Sequence, residues 1–141
     1  MYYKWRGNIQ NNKKKTSMSQ FKKLCNSVFA LSQNIRFAGV IDKMGKLAAG
    51  GMKEGLMSME DKENSSKLYL EFLIRSQMRK DYDAEFGKVV YSFSEREKIK
   101  FAVFPLKDNH ILMVSIEKKE ADHDKLIQNI LTLTNNNNNI L

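Results

Sequence analysis

The sequence predicts an α+β domain in which a five-stranded, mainly antiparallel sheet is flanked by helices, in the order α-β-β-α-β-β-β-α. Three observations carry this expectation. Apolar residues recur at helical spacing in three segments, and β-branched or aromatic runs of strand length fill the intervals between them. The strands within each group are joined by turns of a few residues, which antiparallel neighbours permit and parallel ones do not. A length of 141 residues suits one domain. Apolar residues at 42% against 28% charged give the balance of a globular chain that can bury a core without staples.

The elements follow in order. Ser17 and Gln20 have capping-box spacing, and Phe21, Leu24, Cys25, Val28 and Phe29 then form one helical stripe, predicting a helix over 18–33. Ile35 to Ile41 reads as a strand, Asp42-Lys43-Met44-Gly45 as a turn, and Lys46 to Gly50 as the returning strand of a hairpin. A long helix is expected over 60–85, with Gly87 as its stop. It carries two apolar faces: Leu68, Tyr69, Phe72 and Leu73 on one, and Leu70, Ile74, Met78 and Tyr82 well round from it. A helix apolar on two sides is usually covered on two sides, so the second set is the candidate interface.

Three strands close the domain. Val89, Tyr91 and Phe93 alternate with Val90, Ser92 and Ser94, then turn at Glu95-Arg96-Glu97-Lys98. Ile99, Phe101 and Val103 alternate with Lys100, Ala102 and Phe104, ending at Pro105. Ile111 to Ile116 is apolar at successive positions, the mark of a central strand covered on both faces. Asp122 is placed to cap a last helix that bears Leu126, Ile127, Ile130 and Leu131.

The ends differ in character from this body. Residues 1–16 show no apolar periodicity and read as a flexible basic arm, while 134–141 contain the tract Asn135 to Asn139 and read as an asparagine-rich tail. The folded domain is therefore expected over 17–133. The net charge of +8 is concentrated at the front, because residues 1–34 hold seven basic residues and no acid, leaving 17 basic and 16 acidic residues elsewhere. Lys13, Lys14 and Lys15, near Tyr2, Tyr3 and Trp5, are candidate anion contacts for nucleic acid or an acidic surface. Cys25 is the single cysteine, which excludes an intrachain disulfide and a cysteine-based zinc site. Met1 to Arg6 lack the apolar core of a signal peptide, and no apolar run has the length of a membrane span. A cytoplasmic protein without a membrane span is the expectation.

The element order resembles the roadblock/longin-like group, related in architecture to profilin and to small sensor domains. Residues 36–51, Arg36-Phe37-Ala38-Gly39-Val40-Ile41-Asp42-Lys43-Met44-Gly45-Lys46-Leu47-Ala48-Ala49-Gly50-Gly51, and 78–83, Met78-Arg79-Lys80-Asp81-Tyr82-Asp83, look closer to an uncharacterised archaeal family of small proteins without assigned activity. With the closing strands the resemblance covers about 35–133. It implies a sheet between helices, with the first hairpin central or adjacent to the last strand. Roadblock-like domains generally serve as dimeric scaffolds and regulators of small GTPases or motors, an implication that rests on fold analogy alone.

Chemistry-bearing patterns are few. Gly45 and Gly50 have the glycine spacing of a phosphate loop, but Gly51 stands where its lysine belongs and Met52 where its hydroxyl belongs. A hairpin using glycine for tight turns or close approach is the simpler reading. Asp81, Asp83 and Glu85 alternate like calcium ligands, yet Phe86 occupies the position where the loop needs glycine, and a helix would fan the carboxylates apart. His110 and His123 lack a sequence partner that would make either a catalytic base, and both read as surface histidines. Cys25 lies on an apolar stripe, where a buried structural thiol is the usual outcome. No catalytic, metal or cofactor set emerges. The expected function is a non-catalytic binding or regulatory module, self-associating or binding another protein. The alternatives are a small-ligand sensor and nucleic-acid association through the basic arm.

Overall fold

Every residue from Ile111 to Ile116 is buried, and the strand they form, β5 (Ile111–Glu117), lies at the centre of the sheet. In the computed structural model residues 17–140 are described, with side chains through 136. β5 pairs antiparallel on one side with β1 (Ile35–Ile41) and on the other with β4 (Ile99–Pro105). β2 (Leu47–Met52) and β3 (Ser92–Glu95) complete the order β2-β1-β5-β4-β3, antiparallel throughout. The first hairpin thus lies beside the last strand, with β2 and β3 as the two edges.

Alternation sorts side chains to two cores. Ala38, Val40, Ala102, Phe104, Val114 and Ile116 face α1 (residues 17–29) and α4 (His123–Ile140), meeting Leu24, Val28, Ile127 and Ile130. Phe37, Ile41, Val103, Ile111 and Met113 face the opposite way, onto Leu73 of α2 (Lys62–Arg79), with Leu68, Tyr69 and Phe72 packed alongside. The sheet is thus covered on both faces, as the run in β5 requires.

Several boundaries differ from the sequence expectation for identifiable reasons. Ser17 already has helical backbone, so it is not the cap of α1. That helix ends at residue 29 and not 33, because the Ser32 hydroxyl accepts from the Asn34 N–H at 3.1 Å, offering the chain a local turn in place of another helical one. The helix expected over 60–85 begins at Lys62, capped by Asp61, whose carboxylate accepts from the Asn64 N–H at 2.8 Å. It tightens into a 3-10 turn over Lys80–Tyr82 and one further turn, α3 (Asp83–Phe86), before Gly87 stops it with φ +79°. β3 starts at Ser92 and not at residue 89; extending its register beyond Ser92–Val103 sets Val90 opposite Pro105, which has no N–H to donate. Asp122 caps α4 as expected, accepting from the Lys125 N–H at 3.1 Å. α4 then continues through Ile140, with Thr134 buried, so the backbone stays helical through positions that composition assigns to a tail. Propagating a formed helix costs little per residue, even through weak formers such as asparagine.

Candidate functional site

The second apolar face of α2 is open. Leu70, Ile74, Met78 and Tyr82 are 45%, 47%, 64% and 60% exposed, and none of them belongs to either core. Spacing of four residues keeps the first three on one side of the helix, and the run to Tyr82 spans about 18 Å at 1.5 Å per residue. Beyond α2 the stripe continues, since Tyr82 stacks on the still more exposed Phe86 with ring centroids 6.3 Å apart. Ion pairs flank it: Glu71–Arg75 at 2.7 Å and Glu63–Lys67 at 3.8 Å.

The stripe meets a cleft at its N-terminal end. Leu70 lies against the hairpin turn, its Cδ1 3.0 Å from where a Cβ on Gly45 would stand. From there Met44, Leu47, Leu56, Met57 and Tyr69 line a cavity of about 860 Å³ between the hairpin and α2. Its outer wall is the segment after β2, anchored by Arg36, which donates to the Met57 carbonyl at 3.2 Å and pairs with Glu117 at 2.8 Å. Burial, and then the charge of Glu60, raise the Tyr69 hydroxyl above its ordinary pKa. Contiguous exposed apolar surface of this kind marks interaction sites.

The glycine pattern at 45–51 forms no phosphate loop. Gly45 closes the hairpin turn, donating to the Asp42 carbonyl at 2.9 Å, and Gly50 sits inside β2. Asp81 lies in the 3-10 turn and Asp83 and Glu85 in α3; among the described residues no three His, Cys, Asp or Glu side chains are grouped to hold a metal. The candidate anion contacts Lys13, Lys14 and Lys15, with the rest of the arm, lie outside the described residues.

One polar cluster escapes sequence reading. Lys100, with a side chain only 6% exposed, donates to the Glu120 carbonyl at 2.5 Å and lies 3.2 Å from His123 Nδ1. An ammonium can only donate, so Nδ1 is the acceptor and the neutral ring carries its proton on Nε2. The ring also stacks on Phe93 at 4.5 Å, so His123 is half-buried and engaged where a free surface histidine was expected. Glu95 completes the group; its hydrogen bond with Lys118 at 2.7 Å, then that cation's charge, hold its carboxyl below the usual range. The cluster pins the start of α4 to β3 and β4. Truncating Lys100 to alanine leaves the Glu120 carbonyl without its donor and is expected to cost about 2 kcal/mol in chemical denaturation, with Lys100→Met recovering only the stem packing. His110 has a lesser tie, its Nδ1–H donating to the Asp108 carbonyl at 3.0 Å beside Phe21.

Cys25 is buried in the α1 core, and burial pushes its thiol from 9.0 to about 11. Because the folded state holds the neutral form, the unfolded chain ionises first as pH rises. Stability is therefore full below about 9 and is lost between about 9 and 11. Denaturation across that range is expected to show a steeper alkaline fall for the parent than for Cys25→Ala, and the native thiol should resist alkylation at neutral pH.

The sequence and this arrangement decide the family. The chain belongs to a family of unknown function, DUF6659, whose model matches residues 14–138. No curated protein matches it in sequence. The DUF6659 chain is similar in structure to a Roadblock/LC7 domain from Streptomyces avermitilis, with a TM-score of 0.62 at 15% identity, covering 82% of this chain and 92% of that one. It is similar to the gliding protein MglB from Thermus thermophilus, with a TM-score of 0.65 at 9% identity over 89% and 93% of the two chains. A further MglB, in a tetrameric arrangement, gives 0.57 at 9% identity over 86% and 92%. At such identities the likeness is one of fold, and the fold is of roadblock/LC7 type. Among the described residues no helix is long and apolar enough to cross a membrane.

Proposed function

We propose that this DUF6659 chain is a non-catalytic binding or regulatory module that works as a homodimer, pairing through the exposed stripe of α2 and a sheet edge. The observation that carries the reading is the stripe itself. Leu70, Ile74 and Met78 stand exposed on one face of α2, continued by Tyr82 in the 3-10 turn, while the opposite face packs into the core. A second copy fits it because the flanking Glu71–Arg75 and Glu63–Lys67 pairs present both charge signs, which a two-fold axis can bring into complementary register. β3 is the edge nearest the helix end, tied there by Arg79, which donates to the Ser92 hydroxyl at 2.6 Å. The tetrameric arrangement of one MglB is consistent with self-association of this fold. Sedimentation over a wide concentration range tests the reading: a species near twice 16.4 kDa is expected, and a monomer at every concentration removes it.

Small-ligand sensing is favoured by one observation, the cleft of about 860 Å³ beside the glycine hairpin. Thermal shifts against a metabolite set test it, and stabilisation by none of them counts against it. Association with nucleic acid through Lys13, Lys14 and Lys15 in a cytoplasmic setting is the remaining reading. It requires salt-sensitive binding that disappears when residues 1–16 are deleted.

A further inference from the structure

A second cavity, of about 290 Å³, opens toward the edge of the sheet opposite the hairpin, between the C-terminal end of α2 and the β3–β4 edge. Its chemistry differs from that of the apolar cleft. Arg79, Lys80 and Lys88 line it against a single carboxylate, Asp83, and none of the four takes part in an ion pair among the described residues. Two of the cations are already oriented by neutral partners, Arg79 by the Ser92 hydroxyl and Lys80 by the Asn109 side-chain oxygen. Because Ser92 accepts from Arg79, its own O–H remains free to donate. A second hydroxyl lines the wall: Ser76, on the sheet-facing side of α2, is 9% exposed and makes no side-chain hydrogen bond among the described residues. A buried hydroxyl without a partner is costly unless something polar reaches it.

We infer that this cavity binds a small organic phosphate, with the phosphoryl group held by Arg79, Lys88 and the hydroxyls of Ser76 and Ser92. Excess positive charge selects an anion. Several donors lining one cavity suit a phosphoryl group, whose three terminal oxygens accept more bonds than a carboxylate offers. The rest of the lining, Val103 and Leu106 among it, is apolar, so the ligand carries a short non-polar body as well as its charge. The volume stands at the lower limit of ligand pockets, which excludes a large occupant. The site uses none of the apolar stripe residues Leu70, Ile74, Met78 and Tyr82, although Ser92 belongs to the β3 edge proposed for pairing, and it does not rest on that reading.

The test is an amide NMR titration of the full chain at constant ionic strength, with inorganic phosphate, glycerol phosphate and acetate in separate arms. Saturable shifts confined to the amides around residues 76, 79, 88 and 92 are expected for both phosphates, tighter for glycerol phosphate. Arg79→Gln and Lys88→Gln should each weaken binding by about tenfold, whereas Lys43→Gln, on the distant hairpin turn, should not change it. Lys88 lies in an exposed segment outside any helix or strand, so its variant reports binding even where Arg79→Gln perturbs the helix end. Non-saturating shifts spread over the protein, equal affinity for acetate, or indifference to both substitutions overturns the assignment.

Discussion

Gly50→Ala is expected to lower the melting temperature by about 10 °C, a loss of roughly 3 kcal/mol or more. Gly50 lies within β2 opposite Gly39, with φ +80°, a backbone conformation that costs a residue with a Cβ about 1–2 kcal/mol. The added methyl also has nowhere to go, since an ideal Cβ stands 2.1 Å from the Ala38 carbonyl oxygen and 2.7 Å from Cys25 Sγ. The first neighbour is backbone of the paired strand and the second is a buried core side chain, so neither yields without displacing the hairpin or α1. Gly87→Ala supplies the control. Its φ of +79° is nearly the same, with ψ 171°, but nothing lies within 4 Å of its Cβ, so the loss there should be only the backbone share, about 1–3 kcal/mol. Thermal melts of the two variants separate strain from collision. Equal losses would mean that the approach between β1, β2 and Cys25 relaxes freely.

That contrast also explains what the sequence could convey. Its legible features are local: the apolar run of β5, the Asp122 cap, the Gly87 stop and the two faces of α2 each depend on residues a few positions apart. The features it hid depend on distant residues. Lys100 reads as the polar partner in an alternating strand, and nothing in its neighbourhood announces that His123 and the Glu120 carbonyl will close over it. The glycine spacing at 45–51 reads as a hairpin with close backbone approach, but nothing local says that Ala38 and Cys25 are what Gly50 must approach. The second cavity, whose cations make no ion pair among the described residues, is assembled from the end of α2, the segment after α3 and the β3–β4 edge, with no shared motif to mark it. The start of β3 is hidden for a similar reason, because Val89 to Tyr91 carry strand-like side chains, whereas pairing depends on what Pro105 can offer across the ladder.

Ile74→Glu combined with Met78→Glu is expected to abolish the proposed pairing, weakening association by about a thousandfold. Each substitution places a carboxylate in the middle of an apolar contact, where losing one well-packed side chain costs about 2 kcal/mol or more. In a two-fold interface every change is present twice, so even about 4 kcal/mol in total corresponds to roughly three decades in affinity. The monomer should keep its melting behaviour, because both residues are exposed in the single chain and surface substitutions usually shift stability by no more than about 0.5 kcal/mol. Sedimentation gives the mass and a thermal melt at low concentration gives the fold. Substituting Leu73, on the opposite face of the same helix and 4% exposed, should do the reverse, lowering stability by about 2–5 kcal/mol when truncated to alanine through loss of core contacts. If the Ile74 and Met78 variant remains a dimer, the copies meet elsewhere, and the open stripe on α2 is left for a different protein to cover.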